Sequence, residues 1–457
     1  YYFFNEIVHY IFKGGKDIMK KVLKLFVVFS MCLSQLFFAA LYSNVSAIQD
    51  DDQIVEEVDQ DNTEKDTTSE TTQDESENNN GEEIENNTVT EETDNLDSES
   101  NDVHVVQAFN ENTEKEVVNI NESWTFTNYD NKSSTVNLPY CWEYVHPTMS
   151  YIPQMNSKTC TYEKTLDVSK YKNKNLFLKF YGANKNTVLY IDGKKVGEHV
   201  GGFSAFIFDI TEYVKNDTIK IKVETVNIDT ASIPVNSDFT HWAGLYRDVE
   251  LIATNDAYIS TEDNGTKGIY VSQSFSGNNA IAKIKTKFSS KGNENKDFKV
   301  VTTILNNEGQ EVSKNEQNIN LLANTTCQEN VQELTVENVH RWNGTKDAYL
   351  YTVKVELKDM EENVYDSQTQ KVGFRTFKVK DGNFYLNGKL YKLNGVGMHQ
   401  DREGYGNATT KEMKEEDINT IMEMGANAIR TAHYAHDQSL YDLADEKGLI
   451  VWTEIPF

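Results

Sequence analysis

Polar side chains follow three short apolar segments near the C-terminal end of the chain. His399 follows the first segment, Arg430 and His433 lie at the end of the second, and Glu454 follows the third. Because the carboxyl ends of parallel strands meet at one edge of a sheet, we expect these four side chains to converge there. Their types suit a binding or catalytic site, since a guanidinium fork can hold a carboxylate and lower its pKa, and an imidazole can take up or release a proton.

Each of these residues also has a simpler interpretation. His399 and His433 could be structural histidines held by hydrogen bonds, and Glu454 could either line a pocket or pair with Arg430. The run Gln400-Asp401-Arg402 beside the first histidine is more typical of a solvated loop. Convergence from three separate strands, rather than any single residue, is what favours a functional site.

The segments around these residues alternate between strand and helix patterns. Strands are predicted at 390–396, 428–431 and 449–453, and helices at 411–424 and 439–447. The first helix has capping-box spacing at Thr409 and Glu412, and Gly425 and Gly448 suit the two helix ends. Three strands with two intervening helices predict the first part of a (β/α)8 barrel, and the chain stops before the other five strands.

The preceding residues have the pattern of two β-sandwiches. Residues 103–255 alternate short β-rich runs with turns, at 175–181, 187–191, 205–210 and 218–226 among others. Residues 256–377 do so again, at 280–288, 298–305, 328–336 and 349–357. Short strands without a helical period predict an all-β sandwich, and the second stretch is typical of an immunoglobulin-like module. The barrel is then expected to occupy 378–457.

The segment 427–452 carries the most specific pattern. It contains Asn-Ala-Ile-Arg-Thr-Ala-His-Tyr at 427–434, a helix that stops at Gly448, and Leu-Ile-Val-Trp at 449–452. This arrangement closely resembles the signature of glycoside hydrolase family 2, the β-galactosidase and β-glucuronidase family, and departs from it at Ala435, where the family usually has proline. Residues 138–142 and 242–249 similarly resemble the family's sugar-binding jelly roll.

The resemblance implies a retaining mechanism with two glutamates, a general acid/base and a nucleophile, roughly 5 Å apart. The family places them after the fourth and seventh barrel strands, beyond residue 457, so no catalytic residue is expected here and this chain is expected to hydrolyse nothing by itself. The resemblance assigns substrate binding to His399, His433, Asp238, Arg430 and Glu454. Asp238 would reach the site from the jelly roll, and a loop-capping aspartate is the alternative there.

The motifs at 397–402, 433–438 and 451–457 most resemble the galactosidase branch of the family. They imply that the complete enzyme cleaves a terminal β-galactoside. β-Glucuronidase is the nearest alternative, and a non-catalytic carbohydrate-binding surface protein is an alternative of another class. No closed set of metal ligands is visible in the sequence; the resemblance leaves Mg²⁺ or Na⁺ open as a cofactor of the complete enzyme, and it leaves oligomerisation open too.

The N-terminal residues are interpreted as leader, signal and linker. Met19 starts a charged region, an apolar run and the exit Val45-Ser46-Ala47, which predicts a signal peptide over 19–47 and a translated leader over 1–18. Residues 48–102 hold 22 Asp or Glu against the single Lys65, which predicts a disordered acidic linker. We therefore expect a secreted, extracellular bacterial protein, with this linker as a spacer near the cell wall and no membrane span in the mature chain.

Charge and cysteine content exclude two further classes of site. The formal net charge is −28 at pH 7 and no basic patch appears, so nucleic-acid binding is not expected. Of the four cysteines, Cys32 leaves with the signal peptide. Cys141, Cys160 and Cys327 have no metal-ligand spacing and are expected to be small buried hydrophobes, with a Cys141–Cys160 disulfide left open.

Overall fold

A computed structural model describes the protein over residues 115–142, 159–226, 239–240 and 242–456. All of these residues belong to one unit, Ser100–Phe457. The predicted leader, signal peptide and acidic linker at 1–18, 19–47 and 48–102 lie outside the described residues, as does Asp238. In the described part of the chain, no helix is both long and apolar enough to cross a membrane.

The first sandwich packs a sheet of four strands against a sheet of six. Its strands are β1 Glu116–Asn119, β2 Trp124–Thr127, β3 Ser133–Val136, β4 Thr159–Asp167, β5 Asn175–Phe180, β6 Asn186–Ile191, β7 Lys194–Val200, β8 Phe206–Asp209, β9 Thr218–Val226 and β10 Val249–Thr254. One sheet has the order β1-β10-β5-β8 and the other β3-β2-β4-β9-β6-β7. Every pairing is antiparallel.

The alternation of buried and exposed side chains explains how the two sheets of this sandwich pack together. In β9, Ile219, Ile221 and Val223 are buried and the residues between them are more exposed, because successive side chains of a strand point to opposite faces. These three pack with Trp124 and Tyr162 into one hydrophobic core between the sheets. The predicted β-sandwich is therefore confirmed.

The second sandwich is also antiparallel. Its strands are β11 Ala257–Ile259, β12 Ile269–Ser276, β13 Asn279–Ser290, β14 Lys296–Leu305, β15 Glu311–Leu321, β16 Thr325–Val336, β17 Tyr351–Lys358 and β18 Val364–Val372. β13 pairs with β11, β12 and β16 in one sheet, and the other has the order β15-β14-β17-β18. Val353, Val355 and Leu357 of β17 alternate inward and pack with Phe288 and Phe374. The predicted immunoglobulin-like module is confirmed.

The C-terminal part changes from antiparallel to parallel pairing. It contains β19 Phe377–Lys380, β20 Asn383–Leu386, β21 Lys389–Leu390, β22 Gly395–Met398, α1 Lys411–Glu423, β23 Ala428–Thr431, α2 Gln438–Lys447 and β24 Ile450–Thr453. β19, β20 and β21 form a small antiparallel sheet, whereas β22, β23 and β24 pair in parallel in that order. Ile418 of α1 and Leu440 of α2 pack with Ile429 of β23. This confirms the predicted opening of a (β/α)8 barrel.

The first barrel strand begins later than predicted. The strand predicted at 390–396 is wrong at its start, because Leu390 closes β21 and the parallel strand begins at Gly395. The residues between these two strands form a loop, and the side chain of Asn427 binds its backbone at two points. Its Nδ2 donates to the carbonyl oxygen of Lys392 at 2.8 Å, and its Oδ1 accepts from the N–H of Asn394 at 2.8 Å.

The cap of α1 also lies one residue later than predicted. Thr410 Oγ1 accepts from the N–H of Met413 at 3.3 Å, so Thr410 is the capping residue. Thr409 is buried, and its hydroxyl has no hydrogen-bond partner among the residues that the structure describes. α2 begins at Gln438 after the cap Asp437, and it ends as predicted at Gly448, whose φ of +83° favours glycine.

The three cysteines of the described residues form no disulfide bond. Cys141 and Cys160 are buried, as predicted, and the disulfide left open between them is not formed. Cys327 is only half-buried, which departs from the prediction. Burial raises the pKa of the Cys141 thiol to about 12, so this group stays protonated and unreactive at neutral pH.

Candidate active site at the strand ends

Arg430, His433 and Glu454 form one contact network at the carboxyl ends of β23 and β24. Arg430 Nε donates to Glu454 Oε1 at 2.6 Å, and His433 Nδ1 lies 2.8 Å from Glu454 Oε2. Arg430 Nη2 lies 3.2 Å from His433 Nδ1. The parallel register of the two strands brings the guanidinium, the imidazole and the carboxylate together, because Arg430 stands beside Trp452, two residues before Glu454.

Two hydrogen-bonding partners set the charge of Glu454. The hydrogen bond from Arg430, followed by the contact with His433, lowers the pKa of Glu454 below its usual value. The carboxyl group is therefore ionised at neutral pH, and each of its oxygens is engaged by a neighbouring side chain. Of the two interpretations of this residue, pairing with Arg430 is the one that the structure shows.

His399 lies beside this network, at the end of β22. Its Nδ1 is 3.2 Å from Tyr434 Oη. The rings of His399 and His433 meet edge to face, with centroids 5.3 Å apart and an interplanar angle of 78°. Two half-buried imidazoles from different strand ends thus face the same small space, each with a hydrogen-bonding partner of its own.

An aromatic side chain of the first sandwich reaches the same place. The ring of Phe239 lies 5.7 Å from the ring of His399 and 5.9 Å from that of His433. The sequence interpretation did not include Phe239, although its position directly after Asp238 was a signal that could have found it. Asp238 itself lies outside the described residues.

A packed aromatic layer supports the two histidines. Tyr434 is buried and stacks on Phe203 of the first sandwich, with centroids 4.3 Å apart and ring planes 11° from parallel. Both belong to a hydrophobic cluster that includes Trp242, Tyr246 and Cys141. Burial raises the pKa of Tyr434 well above its ordinary range, so its phenol stays protonated. The site therefore rests on a packed aromatic contact between sandwich and barrel.

The loop after His399 is only partly solvated. Asp401 is exposed, and Arg402 pairs with Glu416 at 2.6 Å, which agrees with the expected solvated loop. Gln400 departs from that expectation, since it is 5% exposed and its Oε1 accepts from Arg247 Nη2 at 2.9 Å. Arg247, from the first sandwich, is a second residue of this region that the sequence interpretation missed.

The described residues do not suit a hard cation at this place. No group of three or more His, Cys, Asp or Glu side chains in the described ranges could hold a metal ion. Both oxygens of Glu454 face donors that are cationic or can become so, whereas Mg²⁺ and Na⁺ prefer several free oxygen ligands. This network therefore offers no free oxygen ligand to the Mg²⁺ or Na⁺ that the sequence leaves open for the complete enzyme.

Three family models match the chain one after another. The sugar-binding domain of glycosyl hydrolases family 2 matches residues 94–255, the central domain of the family matches 258–375, and its TIM-barrel domain matches 377–457. The order of the three matches is the order of the two sandwiches and the parallel strands described above.

Individual relatives agree with these matches. A β-glucuronidase of Bacteroides fragilis is 34% identical over 349 residues, which is 74% of this chain and 49% of that protein. A β-galactosidase of Thermoanaerobacter pseudethanolicus is 33% identical over 295 residues, which is 63% of this chain and 38% of that protein. The chain thus spans half or less of the length of these relatives.

Solved structures show the same likeness. The crystal structure of a putative β-galactosidase from Bacteroides fragilis superimposes with a TM-score of 0.70 at 32% identity, covering 75% of this chain and 53% of that one. A β-glucuronidase from Bacteroides uniformis superimposes with a TM-score of 0.70 at 31% identity, covering 75% and 42%. Together with the strand-end network, these matches show that the chain belongs to glycosyl hydrolase family 2.

Proposed function

We propose that the complete protein is a secreted retaining glycoside hydrolase that cleaves terminal β-galactosides, and that this chain supplies the substrate-orienting part of its active site. The observation that carries the proposal is the pair His399 and His433, held edge to face at the ends of two parallel strands. His433 is fixed by Glu454 and His399 by Tyr434. Imidazoles fixed in this way can form hydrogen bonds with sugar hydroxyls, and such bonds raise the rate if they strengthen in the oxocarbenium-like transition state.

The network is suited to orientation rather than to the chemical step. A retaining glycosidase needs a carboxylic acid that can protonate the leaving oxygen and a second carboxylate as nucleophile. Glu454 is held ionised by Arg430, and both of its oxygens are already engaged. We therefore propose that the acid/base and nucleophile glutamates come from later barrel strands, and that residues 1–457 by themselves hydrolyse no glycoside.

The charge of the network favours a neutral sugar. A glucuronide carries a carboxylate, which is best recognised by a cation without another anionic partner. Within the network of Arg430, His433 and Glu454, the permanent cation is Arg430, and its Nε already donates to Glu454. β-Glucuronidase nevertheless stands as the second candidate, because a relative and a solved structure with that name are among the most similar proteins.

The place of action is proposed from the sequence. The pattern over 19–47 supports export, and the acidic segment over 48–102 supports a solvated spacer between the exit site and the folded part. The substrate would then be an extracellular oligosaccharide with a terminal β-linked sugar.

The test is an assay of the protein with its complete barrel on para-nitrophenyl β-galactoside and β-glucuronide, beside the 457-residue chain. We expect the complete protein to favour the galactoside in kcat/KM, and the 457-residue chain to release no nitrophenol. His433→Phe should lower kcat/KM by about 10²-fold, and His340→Phe, at an exposed histidine of the second sandwich, should not.

The other outcomes of this assay have definite meanings. A preference for the glucuronide would replace the main proposal with the second candidate. Hydrolysis of neither compound, together with binding of galactosides, would support a carbohydrate-binding protein instead. Turnover by the 457-residue chain alone would show that the catalytic carboxylates are within it.

A further inference from the structure

Arg247 is a buried arginine of the first sandwich whose guanidinium reaches the barrel. It lies in the loop before β10, and the residue is 4% exposed. On its own side, Nη1 donates to the carbonyl oxygens of Phe203 at 2.9 Å and Tyr181 at 3.1 Å. These bonds fix the plane of the guanidinium relative to the sandwich.

The other terminal nitrogen of Arg247 contacts both loops that carry the histidines. Nη2 donates to Oε1 of Gln400 at 2.9 Å and to the carbonyl oxygen of Ala435 at 2.7 Å. Gln400 directly follows His399, and Ala435 lies two residues after His433. One side chain therefore sets the position of both strand ends relative to the sandwich and to each other.

A buried ion network extends the contact of Arg247 to α2. Asp437 Oδ2 lies 3.7 Å from Arg247 Nε, and Asp437 Oδ1 lies 3.7 Å from Lys414 Nζ. Asp437 also accepts from the N–H of Ser439 at 2.9 Å and so caps the helix that leads to β24 and Glu454. The same guanidinium thus contacts the loops after β22 and β23 and the capping residue of α2.

The side chain of Arg247 packs closely against Gly182. A methyl group placed on Gly182 would come within 2.9 Å of Arg247 Cδ. A lysine at this place would have a single ammonium on a flexible stem, and it could not donate in the plane to four acceptors on two sides. The geometry therefore needs the guanidinium itself and not only a positive charge.

We propose that Arg247 is a positioning residue that aligns His399 and His433 for substrate. It is buried, and it acts through the loops that carry the two histidines rather than by contact with the sugar. This inference rests on the proposed function for its effect on catalysis. The alignment of the two loops by the guanidinium does not depend on that function, because it concerns only the contacts of Arg247 within this chain.

The first test uses histidine resonances in the 457-residue chain, which needs no activity. In Arg247→Lys, the imidazole resonances of His399 and His433 should shift, and that of the exposed His340 should not. Gln400→Met removes one acceptor and leaves Ala435 in place, so it should shift His399 more than His433. Arg341→Lys, at an arginine that packs on Phe275 in the second sandwich, is the matched control.

The second test uses the protein with its complete barrel. Because a misplacement of about 1 Å can cost about 10²-fold in rate, kcat and kcat/KM should fall together by about that factor in Arg247→Lys while KM changes little. Gln400→Met should give a smaller loss of the same kind and serves as the variant if Arg247→Lys fails to fold.

The two tests fail independently. Unchanged resonances of both histidines in a folded Arg247→Lys variant, or an unchanged kcat, would overturn the positioning role. Shifted resonances in the 457-residue chain, together with a protein of complete barrel that hydrolyses no glycoside, would uphold the alignment of the loops and reject the proposed function.

Discussion

His436 differs in its environment from the two histidines at the strand ends. It is 3% exposed, and its Nε2 lies 3.1 Å from the carbonyl oxygen of Ala432. Because a carbonyl oxygen only accepts, Nε2 carries the proton and Nδ1 is unprotonated in the neutral ring. Burial, only partly offset by the bond to Ala432, lowers the pKa of His436 to about 4, so this ring is neutral at pH 7.

The buried ring predicts a loss of stability in mild acid. The unfolded chain protonates His436 near pH 6.5 while the folded chain resists protonation down to about pH 4, so the free energy of unfolding should fall as the pH drops through this window. The expected loss from this residue is about 2 kcal/mol between pH 7 and pH 5. Urea unfolding of the wild type and of His436→Gln at several pH values measures it.

The matched control for this prediction is His340→Gln, at an exposed histidine. His436→Gln should flatten the dependence of the unfolding free energy on pH between 5 and 7, whatever its effect on the absolute stability. An unchanged pH dependence in His436→Gln, or a dependence that disappears in His340→Gln instead, would contradict the assignment.

At the scale of single residues, the sequence predicted the part of the site that strand periodicity determines. Arg430, His433 and Glu454 were placed together because they follow neighbouring parallel strands, and the structure shows them in contact. Their roles toward a sugar stay a proposal. Arg247 and Phe239 were not predicted as neighbours of these residues, because their contacts depend on how the first sandwich packs on the barrel, which no local pattern encodes.

At the scale of elements, the start of α1 provides a sharp comparison of two adjacent threonines. Thr410 caps the helix, and Thr409 keeps a buried hydroxyl that has no hydrogen-bond partner within the described ranges. Thr410→Ala should therefore lower the free energy of unfolding by about 1 kcal/mol. Thr409→Val should be neutral or stabilising, because a methyl group replaces a buried, unpartnered hydroxyl of the same size.

Chemical denaturation of the two single variants measures this difference. If Thr409→Val were the more destabilising change, the capping box predicted at Thr409 and Glu412 would be right after all. Thr410→Ser, which keeps the hydroxyl, should retain most of the stability and serves as the control.

Element bounds were predictable where the local pattern was the deciding factor. The strand at 218–226 has its predicted bounds because its buried and exposed residues alternate regularly. The strand at 390–396 was misplaced because Tyr391 and Leu393 continue an apolar pattern through a loop. That loop is fixed by the side chain of Asn427, more than thirty residues away, and a contact of this kind cannot be read from a local window.

At the scale of the whole molecule, a buried ion pair joins the first sandwich to the second. Lys115 Nζ lies 2.9 Å from Asp366 Oδ2, with side-chain exposures of 4% and 0%. Lys115 precedes β1, whereas Asp366 belongs to β18. Asp366 Oδ2 also accepts from the N–H of Ile259 at 2.7 Å. The carboxylate therefore binds a donor from each of the two sandwiches.

Removing one partner of this pair should cost far more than removing both charges. Lys115→Met leaves a buried carboxylate without its cation and should lower the free energy of unfolding by about 3 kcal/mol. The double variant Lys115→Met/Asp366→Asn removes both charges and keeps an acceptor for Ile259, so most of the loss should be recovered. Denaturant unfolding of the wild type, the single variant and the double variant measures this difference.

The control for the ion pair is an exposed one. Lys285 and Glu329 lie 3.1 Å apart with side-chain exposures of 40% and 49%. Lys285→Met should change the stability by less than about 1 kcal/mol. If Lys115→Met lowered the free energy of unfolding by no more than Lys285→Met does, the buried pair would not be what holds the two sandwiches together.

The three parallel strands have a consequence for how the described residues, taken by themselves, behave in solution. Within the described residues, β22 and β24 each pair with β23 alone, which leaves one row of backbone donors and acceptors open on each side. Trp452 and Ile455, beside one of these edges, are 69% and 81% exposed. Open strand edges with apolar neighbours are templates for another chain. A preparation of these residues would therefore have to be kept dilute, because molecules that meet edge to edge would extend one another's sheets and come out of solution.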